Sequence, residues 1–141
     1  MMAKKIILVE DDPAMIDIYR EFFSRTDYDV ELATTAEEMT EELNQINNGR
    51  SPKPDLILLD LKLRGGGGFD VLTVAKRAER LKNIPVFVVT NYENPDTEKE
   101  LHQKGISPEK YLIKANFTPA EILDMINGHL GERGRPQIRT A

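Results

Sequence analysis

Four short apolar runs in this chain each end on a polar group. Ile6-Ile7-Leu8-Val9 runs into Glu10-Asp11-Asp12, Leu56-Ile57-Leu58-Leu59 into Asp60, Val86-Phe87-Val88-Val89 into Thr90, and Tyr111-Leu112-Ile113 into Lys114. Runs this short, separated by segments of helical periodicity, read as buried parallel strands. In an open parallel α/β sheet, ligands bind beyond the carboxyl ends of the strands, where strand order reverses. One fold would therefore gather three carboxylates, a hydroxyl and an ammonium in one shallow pocket. Carboxylates that crowded do not all stay ionised without a cation. A hard divalent metal together with a phosphate would use every one of these groups.

Five β–α units follow from the pattern. Strands are expected near Lys5–Val9, Val30–Ala33, Leu56–Leu59, Val86–Val89 and Tyr111–Ile113. The first helix begins near Pro13 and carries Met15, Ile18, Tyr19, Phe22 and Phe23 at helical spacing. The second opens on Thr35 and Glu38 in capping-box spacing and buries Met39, Leu43 and Ile46. A glycine run, Gly65–Gly68, leads to a third helix with Val71, Val74, Ala75 and Ala78 on one face. The fourth starts near Asn94-Pro95 and has one large aliphatic residue, Leu101, so it should pack least firmly. The fifth opens on the capping box Thr118-Pro119-Ala120-Glu121 and buries Ile122, Met125, Ile126 and Leu130. Strict alternation implies a parallel sheet with right-handed crossovers and helices on both faces. Residues 1–130 form one domain in this reading, and the polar stretch 131–141 is a flexible tail whose Arg133, Arg135 and Arg139 are solvated.

Composition excludes several chemistries. The chain has 141 residues, suited to one domain, and a formal net charge of −5, which argues against general nucleic-acid binding. It has no cysteine, so disulfides and thiolate chemistry are out, and its two histidines, His102 and His129, read as surface residues rather than zinc ligands. No apolar run approaches the roughly 20 residues of a membrane span. The N-terminus lacks a signal-peptide pattern, so the expected location is cytoplasmic.

With these residues in hand, the chain from Lys4 to Leu130 resembles the receiver domain of bacterial two-component response regulators. The matching pieces are Leu8-Val9-Glu10-Asp11-Asp12-Pro13, Pro54-Asp55-Leu56-Ile57-Leu58-Leu59-Asp60-Leu61, Thr90 and Tyr111-Leu112-Ile113-Lys114. The resemblance implies a three-layer, doubly wound, flavodoxin-like (CheY-like) five-stranded sheet of order 2-1-3-4-5 with five helices. It implies that Asp60 is the phosphoacceptor, taking a phosphoryl group from a phosphohistidine of a sensor histidine kinase or phosphotransfer protein. Mg2+ would be held by Asp11, Asp60 and the backbone carbonyl of Lys62, with Glu10 acting through a metal-bound water. Lys114 would stabilise charge on the phosphoryl oxygens, and Thr90 would hydrogen-bond the attached group. Thr90 and Tyr111 would form the switch that reshapes the face of helix 4, strand 5 and helix 5 for a downstream protein. Such a domain, expected here to be a stand-alone receiver without an attached output domain, is a phosphoacceptor that promotes its own phosphorylation and dephosphorylation, not a turnover enzyme. A monomer and a phosphorylation-dependent dimer both fit.

The sequence departs from the family pattern at four places. Arg64 stands where many members have Pro and is followed by the glycine run, which reads as a flexible turn and lacks the Lys-Ser/Thr of a P-loop. Ala115 follows Lys114 where Pro is usual, so a cis peptide is not expected there. Asn91 is larger than the Ala or Gly common after Thr90. Lys62 and Tyr92 occupy positions that tune water access, and their size predicts a slowly hydrolysed phosphoryl group. Two other readings compete. An acid-pocket phosphatase would need a second carboxylate two residues past Asp60, where Lys62 stands. A degenerate interaction module would keep the fold without phosphorylation. Asp12 reads as the cap of the first helix.

Overall fold

The computed structural model describes residues 3–91 and 94–131; Tyr92 and the tail beyond Gly131 lie outside the described residues. Five strands, β1 (Lys5–Val9), β2 (Asp29–Ala33), β3 (Leu56–Leu59), β4 (Val86–Thr90) and β5 (Lys110–Ile113), form one sheet of order β2-β1-β3-β4-β5. Every pairing is parallel. The crossovers are α1 (Pro13–Phe23), α2 (Ala36–Asn47), α3 (Gly68–Arg77) and α4 (Asp96–Gln103). A short 3-10 turn (Lys114–Asn116) follows β5 before the last helix, α5 (Pro119–Leu130).

Strand alternation divides the core into two layers. Ile7, Val9, Ile57, Leu59, Val86 and Val88 face α2, α3 and α4. Ile6, Leu8, Leu56, Leu58, Phe87 and Val89 face α1 and α5. β1, β3 and β4 are therefore apolar on both faces, as strands covered by helices on each side must be.

The helix ends obey local chemistry. Asp12 caps α1 by accepting from the Ala14 N–H at 3.0 Å, as expected. Thr118 and Glu121 form a complete capping box on α5. Thr35 accepts from the Glu38 N–H at 3.0 Å, and the Glu38 carboxylate accepts chiefly from the Thr34 N–H (2.7 Å) and hydroxyl (2.8 Å).

Three helix faces differ from expectation. α1 buries Ile16, Tyr19 and Phe23, with Met15 and Phe22 only flanking and Ile18 39% exposed. α3 buries Leu72 beside Val71 and Ala75, with Val74 and Ala78 only partly buried, and α5 buries Leu123 beside Ile122 and Ile126, with Met125 and Leu130 only partly buried. Helices that lie flat on a sheet bury a stripe wider than one ridge, and its centre is set by the crossover geometry. α4 has two buried residues, Thr97 and Leu101, matching its expected light packing.

Candidate functional site

The carboxyl edge of the sheet holds the polar groups in place through the ladder itself. The Glu10 N–H donates to the Ala33 carbonyl at 3.1 Å and the Asp60 N–H to the Val9 carbonyl at 3.0 Å, each prolonging strand pairing by one residue. Glu10 and Asp60 are thereby drawn into the protein, 2% and 6% exposed, and Thr90, the last residue of β4, is fully buried. Lys114 begins the 3-10 turn after β5 and reaches back across the sheet. Its Nζ donates to Glu10 Oε1 at 2.9 Å and to Asp60 Oδ2 at 3.0 Å. All described peptide bonds are trans, including the one into Ala115, and Lys114 reaches both carboxylates in that geometry.

Asp11 completes the cluster. One oxygen each from Glu10, Asp11 and Asp60 lies within 4.8 Å of the others. Three carboxylates face one ammonium, which leaves excess negative charge in a half-closed site. Burial is the main cause that raises the Glu10 carboxyl above its ordinary range, opposed by the hydrogen bond and charge of Lys114 and aided by the charge of Asp60. The Lys114 pKa is raised as well, against its burial: burial disfavours its ammonium, yet the hydrogen bonds to Glu10 and Asp60 and their charges hold its pKa above 10.5. The donor set is oxygen only, with a charge deficit that a divalent cation would fill, so the residues fit a hard metal such as Mg2+.

The loop after β3 contributes backbone donors. The Lys62 N–H donates to Asp60 Oδ1 at 2.9 Å, and the Arg64 N–H donates to Asp11 Oδ2 at 2.7 Å. Leu61 and Leu63 are buried between these exposed residues and anchor the loop from below. Sequence reasoning missed the two donors. The alternation Leu61-Lys62-Leu63-Arg64 was the available signal, since it continues the strand rhythm past Asp60.

The glycine run is also more than a flexible turn. Gly66 and Gly67 have φ of 81° and 91°. A Cβ on Gly67 would stand 2.5 Å from the Ala36 methyl, and one on Gly68 would stand 2.1 Å from the Leu61 carbonyl oxygen. Gly67 and Gly68 are thus required by close approach of α2 and of the loop's own start, whereas Gly65 faces open space.

Tyr111 is half-buried and packs against the α2–α3–α4 layer. It pairs with Val88 in register, so it shares a sheet face with Thr90, two residues on. Asn91 and Lys62 are exposed beside the site, and His102 and His129 are exposed as expected, His129 with its ring edge-on to Phe87.

The response regulator receiver domain family matches residues 6–127 of this chain. The chain belongs to that family. Among curated relatives, the polar-differentiation response regulator DivK of Brucella ovis is 28% identical over 131 residues, 93% of this chain and 99% of DivK. Among solved structures, the Mn2+-bound form of response regulator Rcp1 superposes with a TM-score of 0.75 at 28% identity, covering 95% of this chain and 98% of that one. The phosphorylated cyanobacterial phytochrome response regulator RcpA gives a TM-score of 0.74 at 27% identity, covering 97% and 99%. The fold is the CheY-like one, and two-component signalling is the function class. Among the described residues no helix is long and apolar enough to cross a membrane.

Proposed function

We propose that this chain is a receiver that accepts a phosphoryl group on Asp60 and signals by changing its protein contacts. The observation that carries the reading is the placement of Asp60: buried at the end of β3, with Glu10 and Asp11 oxygens within 4.8 Å and the Lys114 ammonium 3.0 Å away. An Asp60 oxygen attacks phosphorus, the P–O bond forms as the P–N bond to the donor imidazole breaks, and the electron pair leaves on the imidazole nitrogen, which takes up a proton. Lys114 meets the negative charge of the phosphoryl oxygens in a site already partly closed to water. The Lys62 N–H holds one Asp60 oxygen and so fixes the orientation of the carboxylate. The Thr90 hydroxyl donates to the attached group, and its movement is passed to Tyr111 on the same sheet face and to lightly packed α4.

Mg2+ would be held by Asp11, Asp60 and the Lys62 carbonyl, with Glu10 in the outer layer; when bound it supplies charge neutralisation to the transferring phosphoryl group. Rcp1 with bound Mn2+ and phosphorylated RcpA support this reading. The domain promotes its own phosphorylation and dephosphorylation and is not a turnover enzyme. Its donor is a sensor histidine kinase or phosphotransfer protein, and its target a second protein that reads the α4–β5–α5 face.

Intact mass after incubation with Mg2+ and a small acyl phosphate tests this. A single phosphoryl adduct is expected on the wild type and none on Asp60→Asn. A folded wild-type chain that gains no adduct and binds no Mg2+ would instead be a non-phosphorylated interaction module. Exposed Lys62 at the pocket mouth predicts an adduct that outlasts seconds in Mg2+ buffer, read from the decay of the same mass peak.

A further inference from the structure

We infer that the backbone N–H of Arg64 is a positioning group for the metal site, acting through Asp11. The inference rests on the Mg2+ reading above and concerns how this chain tunes it. Asp11 projects from the β1–α1 loop and is only half-buried, so unlike Glu10 and Asp60 it is not immobilised by burial. The 2.7 Å bond from the Arg64 N–H, 53 residues away in sequence, anchors it. A charge-assisted bond this short takes one carboxylate oxygen and leaves the other oriented for a cation.

The loop is built to deliver that donor. Lys62 and Arg64 are two residues apart, so their N–H groups point to the same side, one onto Asp60 and one onto Asp11. Buried Leu61 and Leu63 pin the intervening positions. The Gly66 N–H closes a turn on the Leu63 carbonyl at 2.9 Å, and Gly68 comes back against the Leu61 carbonyl. The segment therefore forms a two-donor clamp that spans the two carboxylates proposed to ligate the ion. Such clamps exist only where the residue carries an N–H, which proline does not. Outer-layer hydrogen bonds to metal-binding carboxylates are commonly worth about tenfold to a hundredfold in metal affinity.

Mg2+ titration by calorimetry on the wild type, Arg64→Ala and Arg64→Pro tests the clamp, with amide exchange at residue 64 of the wild type as the second arm. Arg64→Ala keeps the N–H and should bind Mg2+ like the wild type; Arg64→Pro should bind about tenfold more weakly or worse. Equal affinity in all three chains would overturn the inference, and so would an equal loss in both variants, which would assign the effect to the side chain. If Arg64→Pro fails to fold, exchange decides. The Arg64 amide should be protected in ion-free protein and exchange more slowly with Mg2+; exchange at the rate of an open amide in both states would overturn the clamp. A wild-type chain that binds no Mg2+ would overturn the phosphoacceptor reading and this inference together, whereas the first two outcomes overturn the clamp alone.

Discussion

Glu10 binds Lys114 through one oxygen, and its other accepts from the Asp11 and Asp12 N–H groups at 3.2 and 3.3 Å. Even so its proton is held more tightly in the folded protein than in the unfolded chain, chiefly because the carboxylate is buried. Its contribution to metal-free stability is therefore present below its ordinary value of 4.5 and is lost as pH rises through the raised folded value. Lys114, also raised, contributes stability below 10.5 that is lost as pH rises through its higher folded value. Urea denaturation at stepped pH should show each slope in the wild type, the first vanishing in Glu10→Gln and the second in Lys114→Met. Tyr19 presents a separate case. Its hydroxyl is buried with no hydrogen-bond partner among the described residues. Burial first, then the charges of Glu10 and Asp60, keep the phenol protonated. An orphaned buried hydroxyl costs about 1–3 kcal/mol, so Tyr19→Phe should leave stability unchanged or raise it by about 1 kcal/mol, measured by urea denaturation. A loss of that size would mean the hydroxyl has a water partner.

Among the elements, the turn between β3 and α3 is the most constrained by packing. A methyl on Gly68 meets the Leu61 carbonyl at 2.1 Å, so Gly68→Ala should cost about 1–3 kcal/mol in thermal denaturation and disturb the Lys62 and Arg64 donors. Gly65→Ala, which meets nothing within 4 Å, should stay within about 0.5 kcal/mol of the wild type. The contrast separates glycines required by close approach from one that is not. At the other edge, α5 begins on a full capping box, and Thr118→Ala should cost about 1 kcal/mol by the same measurement. α4, with Thr97 and Leu101 as its buried residues, is the helix that can shift with the least loss of buried contact.

For the whole molecule, the fold turns strand ends into neighbours. Residues 10, 60, 90 and 114 are separated by 24 residues or more, yet three of them are joined through one ammonium, because parallel strands bring all their carboxyl ends to one edge. Mg2+ bound only by the folded state should stabilise it by about 2.7 kcal/mol at a concentration one hundred times its Kd. That gain should disappear in Asp11→Asn, read as the loss of the Mg2+-dependent shift in Tm.

The amino-acid order alone located the strands, because short apolar runs that alternate with segments of helical periodicity pack as parallel strands under helices. It settled the carboxylate set and Lys114 as well, since each residue closes its own strand and parallel order brings the ends together. The capping of α1 by Asp12 and of α5 by Thr118 was legible because caps are local. What the sequence did not disclose was decided at a distance. Ile16 rather than Ile18 is buried because the crossover sets how α1 rolls on the sheet. Gly67 must be glycine because Ala36 arrives from another helix. The Arg64 N–H finds Asp11 because a backbone donor carries no signature in the side-chain pattern; only the folded loop gives it a direction.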